Sequence, residues 1–214
     1  MWVFEGAAVS LAVLNCVLYA TCHMRFHLNS KINKEALANA EVALLPAFLG
    51  GTDKKPTYQF GRFLAVLEPA DEQLVKNYLS ARALKVGEGK LLRLNHTPGF
   101  VFLTAEKEIT VKNLSLLVRR FIRTAKAEGF RAVAICTDDF LAKEMSALHI
   151  TKLIAENVLL AHYDFSETFK TAPAEGWRRI ESITIFTKHN VKQCAVAVAR
   201  GEIIAEGVNR CRTL

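Results

Sequence analysis

The sequence lacks the short motifs that usually mark a self-contained catalytic centre. It has no G-x-S-x-G nucleophile motif and no H-E-x-x-H metal-binding motif. A Gly50-Gly51-Thr52-Asp53 segment follows an apolar run, but the Gly-Lys-Ser/Thr of a phosphate-binding loop is missing, so we interpret the segment as a turn. Internal repeats and low-complexity tracts are also lacking. The residues alone therefore predict a globular domain without a complete catalytic constellation.

Cysteine is present without a pattern. The five cysteines are odd in number and contain no C-x-x-C pair: Cys16, Cys22, Cys136, Cys194 and Cys211. This usage predicts free thiols in a reducing, cytoplasmic compartment and argues against a disulfide framework or a zinc site. Cys22, His23 and His27 could place two imidazoles one helical turn apart, but no carboxylate stands in metalloprotease spacing. We therefore predict no metal ligands in this chain.

The composition is that of an ordinary globular protein. The chain has 214 residues, of which 51% are hydrophobic and 23% charged, and this length is typical of one sizeable domain. The formal net charge of +7 favours anionic partners such as nucleic acid. The favoured interpretation of the excess is solvated surface charge.

Residues 1–23 are the unusual segment. They are mostly apolar from Gly6 to Cys22, a run at the short end for a membrane-spanning helix, which needs about 20 residues. Only Glu5 precedes the run, whereas a secretory signal needs Lys or Arg there. Three interpretations stay open: a start codon assigned too early with Met24 as the true start, a membrane anchor, or an added soluble helix. The first is favoured, and a membrane is not favoured as a partner.

The hydrophobic pattern alternates between strands and helices. Strands are predicted at 25–29, 42–46, 91–94, 100–104, 131–136 and 183–187, and helices at 71–83, Val111–Glu128, about 138–161 and 191–214. The apolar spacing of the stretch at 138–161 slips near 149–151, which leaves open a kinked helix or two helices. The helix Val111–Glu128 is the clearest, with Thr110 as its predicted N-cap and Gly129 at its C-terminus. Because a buried strand follows Gly129 at once, the pattern predicts an α/β fold built from crossover units.

One helix carries a row of basic residues. Lys112, Arg119, Arg123 and Lys126 fall within about 60° of one another on an ideal helix, and we call them the basic stripe. They could contact a phosphate backbone. The alternative is the solvated side of an amphipathic helix, which is favoured because no aromatic residue interleaves the stripe to stack on bases. The adjacent pair Asp138-Asp139 is interpreted in the same conservative way, as a helix cap.

The C-terminal third contains residues that resemble a known family. The segment A-E-N-V-L-L-A at 155–161 leads into Tyr163-Asp164-Phe165 and Phe169-Lys170, and G-E-I-I-A-E-G-V-N-R-C-R-T-L closes the chain at 201–214. These stretches resemble the end of the N-terminal domain and the interdomain helix of leucyl (cytosol) aminopeptidases. The resemblance spans about Met24 to Leu214 and is most specific in its C-terminal part.

The resemblance implies a three-layer α/β/α fold with a mixed sheet, like that of macro domains, plus a C-terminal linker helix. It divides the chain into an apolar extension (1–23), a macro-like domain (24–187) and an interdomain linker helix (188–214).

The resemblance also implies a function for the longer protein. Family members are metal-dependent exopeptidases that release N-terminal amino acids with two divalent ions, zinc, manganese or magnesium, and they assemble as hexamers. Their metal ligands and catalytic residues belong to a second domain, so this chain is predicted to be inactive alone and to need no cofactor of its own. Its expected role is architectural, with Asn209, Arg210 and Arg212 contacting the catalytic domain or another subunit. The alternative is a stand-alone macro-like module that binds nucleotides or nucleic acid.

Two departures from the family pattern carry expectations of their own. Asn157 stands where glycine is common, which predicts a different turn at that position. Residues 100–107 occupy a place where many members have a strand ending in a glycine-containing loop, so we do not expect a ligand pocket of the macro-domain type.

Overall fold

The computed structural model describes residues 24–52, 55–82, 84–140, 145–163, 171 and 178–213. Residues 1–23, with their three interpretations, and residues 164–170, which carry part of the family resemblance, lie outside these described residues. The helices and the sheet given below are formed by the described residues.

A mixed seven-stranded sheet forms the middle layer. Its strands are β1 (Arg25–Asn29), β2 (Val42–Thr52), β3 (Lys55–Phe60), β4 (Gly89–Arg93), β5 (Phe100–Glu106), β6 (Ala132–Cys136) and β7 (Ser182–Phe186). The spatial order is β1-β7-β6-β2-β5-β4, and β3 pairs with the end of β2. Neighbours among β1, β7, β6, β2 and β5 are parallel, whereas β3 and β4 are antiparallel to their partners.

Helices cover both faces of the sheet. They are α1 (Lys34–Leu37), α2 (Pro69–Ala81), α3 (Val111–Glu128), α4 (Ala147–His162) and α5 (Val191–Thr213), with 3₁₀ turns at Arg62–Val66 and Thr137–Phe140. Side chains that alternate along β6 point to opposite cores, because Cβ atoms alternate across a strand. Val133 and Ile135 pack beneath α3, α4 and α5, and Ala134 and Cys136 pack beneath α1 and α2. The predicted three-layer α/β/α fold with a mixed sheet is confirmed.

Helix α3 forms as its sequence predicts. The Thr110 hydroxyl accepts a hydrogen bond from the backbone N–H of Asn113 at 3.2 Å, which caps the first turn. Gly129 ends the helix in the left-handed region at φ 85°, which glycine adopts without a Cβ penalty. One face of the helix is fully buried against the sheet: Leu114, Leu117, Val118, Phe121, Ile122 and Ala125. Both predicted ends are confirmed.

Part of the predicted turn at Gly50-Gly51 belongs to a strand instead, and another strand begins earlier than predicted. β2 does not stop at Pro46, because Gly50 and Gly51 pair with Thr57 and Pro56 in an antiparallel β2–β3 hairpin. Gly50 fits there because a Cβ would lie only 3.1 Å from the Thr57 hydroxyl oxygen. β4 begins at Gly89, earlier than the strand predicted at 91–94.

The helical stretch predicted at about 138–161 is not one continuous helix, in agreement with the slip in its apolar spacing. Asp138 and Asp139 lie in a 3₁₀ turn, and Ser146 caps the separate helix α4. Asn157 makes no turn. It is buried inside α4, where its Nδ2 donates to the Leu153 carbonyl at 2.8 Å. His162 is the last residue of the same helix.

Helix α5 packs closely on α4. A Cβ at Gly201 would stand 2.5 Å from the Lys152 carbonyl oxygen and 2.9 Å from the Glu156 nitrogen, so only glycine permits this approach. The thiol of Cys194 lies 4.0 Å from the Thr151 hydroxyl, nearer the start of both helices. α5 therefore runs in the same direction as α4. The buried side of α5 consists of Cys194, Ala197, Val198, Gly201 and Ala205.

Candidate functional site

The site that the fold favours lies at the carboxyl edge of the parallel strands, between β2 and β6. These strands are neighbours, but the chain leaves them toward opposite faces. β2 leads through β3 to α2 on one face, and β6 leads to α4 on the other. Ligands of open α/β sheets usually bind where neighbouring connections diverge in this way. Three segments meet here: 61–62 after β3, 137–140 after β6 and 187–189 after β7.

Asp138 links the three segments. Its side chain is 2% exposed, and its Oδ2 accepts hydrogen bonds from Arg62 Nη1 at 3.1 Å and from the backbone N–H of Lys188 at 2.9 Å. Nε2 of His189 lies 3.8 Å from its Oδ1. The buried carboxylate is therefore compensated by a guanidinium and a backbone donor, as a buried charge requires.

Asp139 lies against the turn after β3. Its Oδ1 accepts a hydrogen bond from the backbone N–H of Arg62 at 2.9 Å. A Cβ at Gly61 would overlap the Asp139 carboxyl group, with the carboxyl carbon 2.9 Å away and Pro46 Cδ 3.0 Å away. Burial raises the pKa of Asp139 to about 6, against the lowering effect of the Arg62 hydrogen bond. The carboxyl group thus changes its charge near neutral pH.

Two oxygens of this pair have no hydrogen-bond partner within the described ranges, Oδ1 of Asp138 and Oδ2 of Asp139. The pair does not fit a divalent metal centre. No group of three or more His, Cys, Asp or Glu side chains able to hold a metal occurs in the part of the chain that the structure describes. The Arg62 guanidinium already occupies the approach to Asp138, and Gly61 packs against Asp139.

The basic stripe is divided between contacts with α4 and solvent. Arg119 Nε donates to Oδ1 of Asn157 at 2.6 Å, and Lys126 Nζ donates to the His162 carbonyl at 2.9 Å. Lys112 and Arg123 are exposed. Contact of the stripe with an anion stays a prediction, now concentrated on its two exposed members.

The predicted interdomain residues lie in the last turns of α5. Arg210 forms an ion pair with Glu206, and Arg212 Nη1 donates to Oδ1 of Asn209 at 3.3 Å. Arg210 and Arg212 are exposed and Asn209 is half-buried. Their role in domain or subunit contacts stays a prediction.

Sequence reasoning missed the residues that complete the carboxyl-edge site. Gly61, Arg62, Lys188 and His189 carry no motif, and each joins the site through a contact with a carboxylate far away in sequence. One available signal was the position of Asp138-Asp139 directly after a buried strand, since that is where side chains reach the carboxyl edge of a parallel sheet.

Comparison with known proteins supports the fold. No protein-family model matches the chain. Tomato leucine aminopeptidase is similar with a TM-score of 0.63 and 15% identity, over 88% of this chain and 37% of that one. The macro domain of ganglioside induced differentiation associated protein 2 gives a TM-score of 0.55 and 14% identity, over 80% of this chain and 81% of that one. The Trypanosoma brucei macrodomain in complex with ADP gives a TM-score of 0.52 and 15% identity, over 80% and 69%.

These likenesses define the class as a macro-domain-like α/β/α fold. The chain spans little more than a third of the tomato aminopeptidase chain that it matches. Among the described residues, no helix has the length and apolar character needed to cross a membrane.

Proposed function

We propose that this chain is the non-catalytic N-terminal domain of a leucyl-aminopeptidase-like metalloexopeptidase, with an architectural role in domain and subunit contacts. The observation that carries the proposal is the filled carboxyl edge between β2 and β6. The crevice position of the fold is occupied by Gly61, Arg62 and the Asp138-Asp139 pair, all held by contacts within the chain. A fold that fills its own ligand position is suited to supporting another domain.

The likeness to tomato leucine aminopeptidase also supports this proposal. It extends over 88% of this chain, against 80% for the macro domain of ganglioside induced differentiation associated protein 2. The contacts to a catalytic domain, and the assembly into a hexamer, are assigned to the end of α5 through Asn209, Arg210 and Arg212. The two divalent ions belong to that catalytic domain in this proposal.

The first experiment measures hydrolysis of leucine p-nitroanilide by the purified chain with manganese, zinc or magnesium. We expect no turnover above the metal blank. Metal-dependent turnover that follows the protein through purification contradicts a non-catalytic role.

A second experiment tests the architectural role. The chain is joined to the metallopeptidase part of tomato leucine aminopeptidase in place of that enzyme's own N-terminal part, and assembly is measured by analytical ultracentrifugation. We expect a hexamer that Arg210→Glu with Arg212→Glu disrupts and that Arg200→Glu, an exposed control on the same helix, leaves intact. An unchanged hexamer in the double variant contradicts the assigned contacts.

The second candidate is a stand-alone macro-like module for nucleotides or nucleic acid. It is favoured by the likeness to separate macro domains, which covers 81% and 69% of two of them, one of which contains ADP. The contacts of Arg62 with Asp138 and of Gly61 with Asp139 weigh against it, because these residues already lie at the crevice position.

Titration calorimetry with ADP-ribose separates the two candidates. Saturable heat that Asp138→Ala alters supports the module, and no heat supports the architectural role. A DNA mobility-shift assay over a range of salt concentrations tests the basic stripe, with Lys112→Glu and Arg123→Glu as the informative changes.

A further inference from the structure

Strand β4 lies at one end of the sheet, and among the described residues no strand pairs with its outer side. The Leu94 N–H donates to the Gly99 carbonyl at 2.8 Å, and the Ala105 N–H donates to the Glu88 carbonyl at 3.1 Å. Because every second residue of an antiparallel strand bonds to its partner, the even-numbered residues of β4 bond to β5. The odd-numbered residues direct their N–H and C=O groups away from the sheet: Gly89, Leu91 and Arg93. We call this outer side the free edge of β4.

The side chains of β4 place one cation on each side of the free edge. Leu92 is buried in the core beneath α1 and α2, and Leu91 packs against the core beneath α3. Since side chains alternate along a strand, Lys90 stands on the side of Leu92 and Arg93 on the side of Leu91. Both cations are exposed, and β4 contains no other charged residue. The strand therefore presents two positive charges, three positions apart and on opposite sides.

Apolar side chains flank the start of the free edge. Val86 is 53% exposed just before β4, and Leu116 is 50% exposed on α3. Arg120 lies one helical turn after Leu116 and donates a hydrogen bond to the Gly87 carbonyl, which holds this part of α3 beside the start of β4. Charged side chains commonly guard an exposed strand edge against pairing. Val86 and Leu116 do not serve that purpose, and they offer apolar contacts to a strand that pairs there.

We propose that the free edge of β4 binds an extended acidic peptide segment of a partner protein, which adds one strand to the seven-stranded sheet. Strand addition takes its affinity from main-chain hydrogen bonds and its selectivity from alternate side chains. An added strand advances residue for residue with β4 in either direction, so carboxylates three positions apart reach Lys90 and Arg93 together. Carboxylates two positions apart lie on one side of the strand and reach only one of the two cations.

The charges favour this occupant over a second copy of the chain. Two copies of β4 paired through their free edges would bring the Lys90 and Arg93 side chains of both into one interface, without an acidic side chain from either strand. A nucleic acid could also meet the two cations, but its phosphate backbone has no donors for the outward carbonyl groups of β4. The inference does not rest on the aminopeptidase proposal, whose contacts lie on α5, so each can fail without the other.

The test measures the binding of fluorescein-labelled peptides to the full chain by fluorescence anisotropy. The probe is Thr-Glu-Thr-Val-Glu-Val-Thr, in which the glutamates are three positions apart. The control peptide is Thr-Glu-Val-Glu-Val-Thr-Thr, which has the same composition with the glutamates two positions apart. We expect the probe to bind about fivefold more tightly, because it forms a second cross-strand ion pair.

Backbone N-methylation of the probe tests the main-chain hydrogen bonds. At two adjacent residues of an added strand, one N–H faces β4 and the other faces away. Methylation at the third or at the fourth residue of the probe, but not at both, should therefore abolish binding. Equal effects at the two residues contradict strand addition.

Charge reversal in the protein tests the two cations. Lys90→Glu and Arg93→Glu should each weaken binding of the probe by about tenfold, since each replaces an attraction with a repulsion. Lys192→Glu is the matched control, because Lys192 is exposed on α5, away from β4, and it should leave the affinity unchanged. A probe with lysine in place of one glutamate should regain affinity for Lys90→Glu, which excludes misfolding as the cause of the loss.

Three results overturn the proposal. Equal affinity for the probe and the control peptide, or no binding of either, shows that the free edge does not select carboxylates by their spacing. A dimer of the chain that the probe does not dissociate assigns the free edge to a second copy. Single-stranded DNA that binds more tightly than the probe, and is weakened by the same two charge reversals, assigns it to nucleic acid.

Discussion

Asp139 accepts a hydrogen bond at 2.9 Å from the backbone N–H of Arg62, which joins the end of β6 to the turn after β3. Gly61 makes this approach feasible because the Asp139 carboxyl group lies where its Cβ would be. The backbone of Gly61 is in the extended region, at φ −64°, so its requirement for glycine comes from space and not from strain. The contact fixes one wall of the carboxyl-edge site.

Gly61→Ala should therefore destabilise the fold through overpacking. We expect a loss of about 1–3 kcal/mol in the free energy of unfolding, measured by urea titration. Gly99→Ala is the control, since a Cβ there meets nothing within 4 Å. Equal losses in the two variants would show that the approach of Asp139 to Gly61 is not tight in solution.

The raised pKa of Asp139 predicts a dependence of stability on pH. The folded state holds the proton up to pH about 6, whereas the unfolded carboxyl group, with its ordinary value of 3.8, releases it earlier. The contribution of this group to the free energy of unfolding is therefore complete below pH 3.8. It is lost as the pH rises from 3.8 to about 6, by an amount on the order of 3 kcal/mol.

Asp139→Asn removes the titration. We expect the variant to match the wild type near pH 4 and to exceed it in free energy of unfolding at pH 7.5, measured by urea titration at each pH. A constant difference between the two proteins across this range contradicts the assignment.

A second buried carboxylate, Asp71, holds the loop before β5. Its oxygens accept hydrogen bonds from the backbone N–H groups of Asn95 at 2.8 Å and His96 at 3.0 Å, and the His96 ring nitrogen Nδ1 lies 2.9 Å away. Burial alone would raise the pKa of Asp71, but these hydrogen bonds outweigh burial and the pKa lies below its ordinary value.

Asp71→Ala should cost about 3 kcal/mol at neutral pH, because it leaves two backbone donors without their charged acceptor. The neighbouring Glu72→Ala removes only an exposed ion pair with Lys76 and should cost about 0.5 kcal/mol. Since the pKa of Asp71 is depressed, its contribution is present above pH 3.8 and is lost as pH falls further. Thermal unfolding of both variants at neutral and acidic pH measures this, and the cost of Asp71→Ala should shrink at acidic pH.

The packing of α5 on α4 predicts that substitution by alanine changes stability in opposite directions at two glycines of α5. Gly201→Ala should destabilise by about 1–3 kcal/mol, because its Cβ would meet the backbone of Lys152 and Glu156. Gly207→Ala meets nothing within 4 Å and should stabilise by up to about 1 kcal/mol through helix propensity. Differential scanning calorimetry of the two variants compares them directly, and a stabilising Gly201→Ala would mean that the helices are further apart.

Local signals explain what the sequence could predict. Helix α3 was predicted to the residue, because Thr110, the apolar period and Gly129 all act within the helix or at its ends. The turn signal of Gly50-Gly51 was equally local, but cross-strand pairing with Thr57 and Pro56 overrode it. Local preference decides an element only where no distant partner competes.

The carboxyl-edge site depends on such distant partners. Asp138 and Asp139 were recognised as a pair but assigned to a cap, since nothing near them in sequence indicates Arg62 or Lys188 as their partners. Asn157 stands where glycine is common in the family, but it lies inside α4 and forms no turn. Its Nδ2 donates to the Leu153 carbonyl within α4, and its Oδ1 accepts a hydrogen bond from Arg119 on α3. Both outcomes follow from tertiary contacts.

The pairing of β1 with β7 has a consequence for the order of folding. Arg25 lies opposite Ser182, so the strand nearest the start of the chain pairs with one that is synthesised after most of the domain. Closing so long a loop is entropically costly until the intervening strands and helices have formed. β1 is therefore expected to dock late during synthesis, and it leaves the ribosome well before its partner exists. Any chaperone that holds the nascent chain would find β1 available for that whole interval.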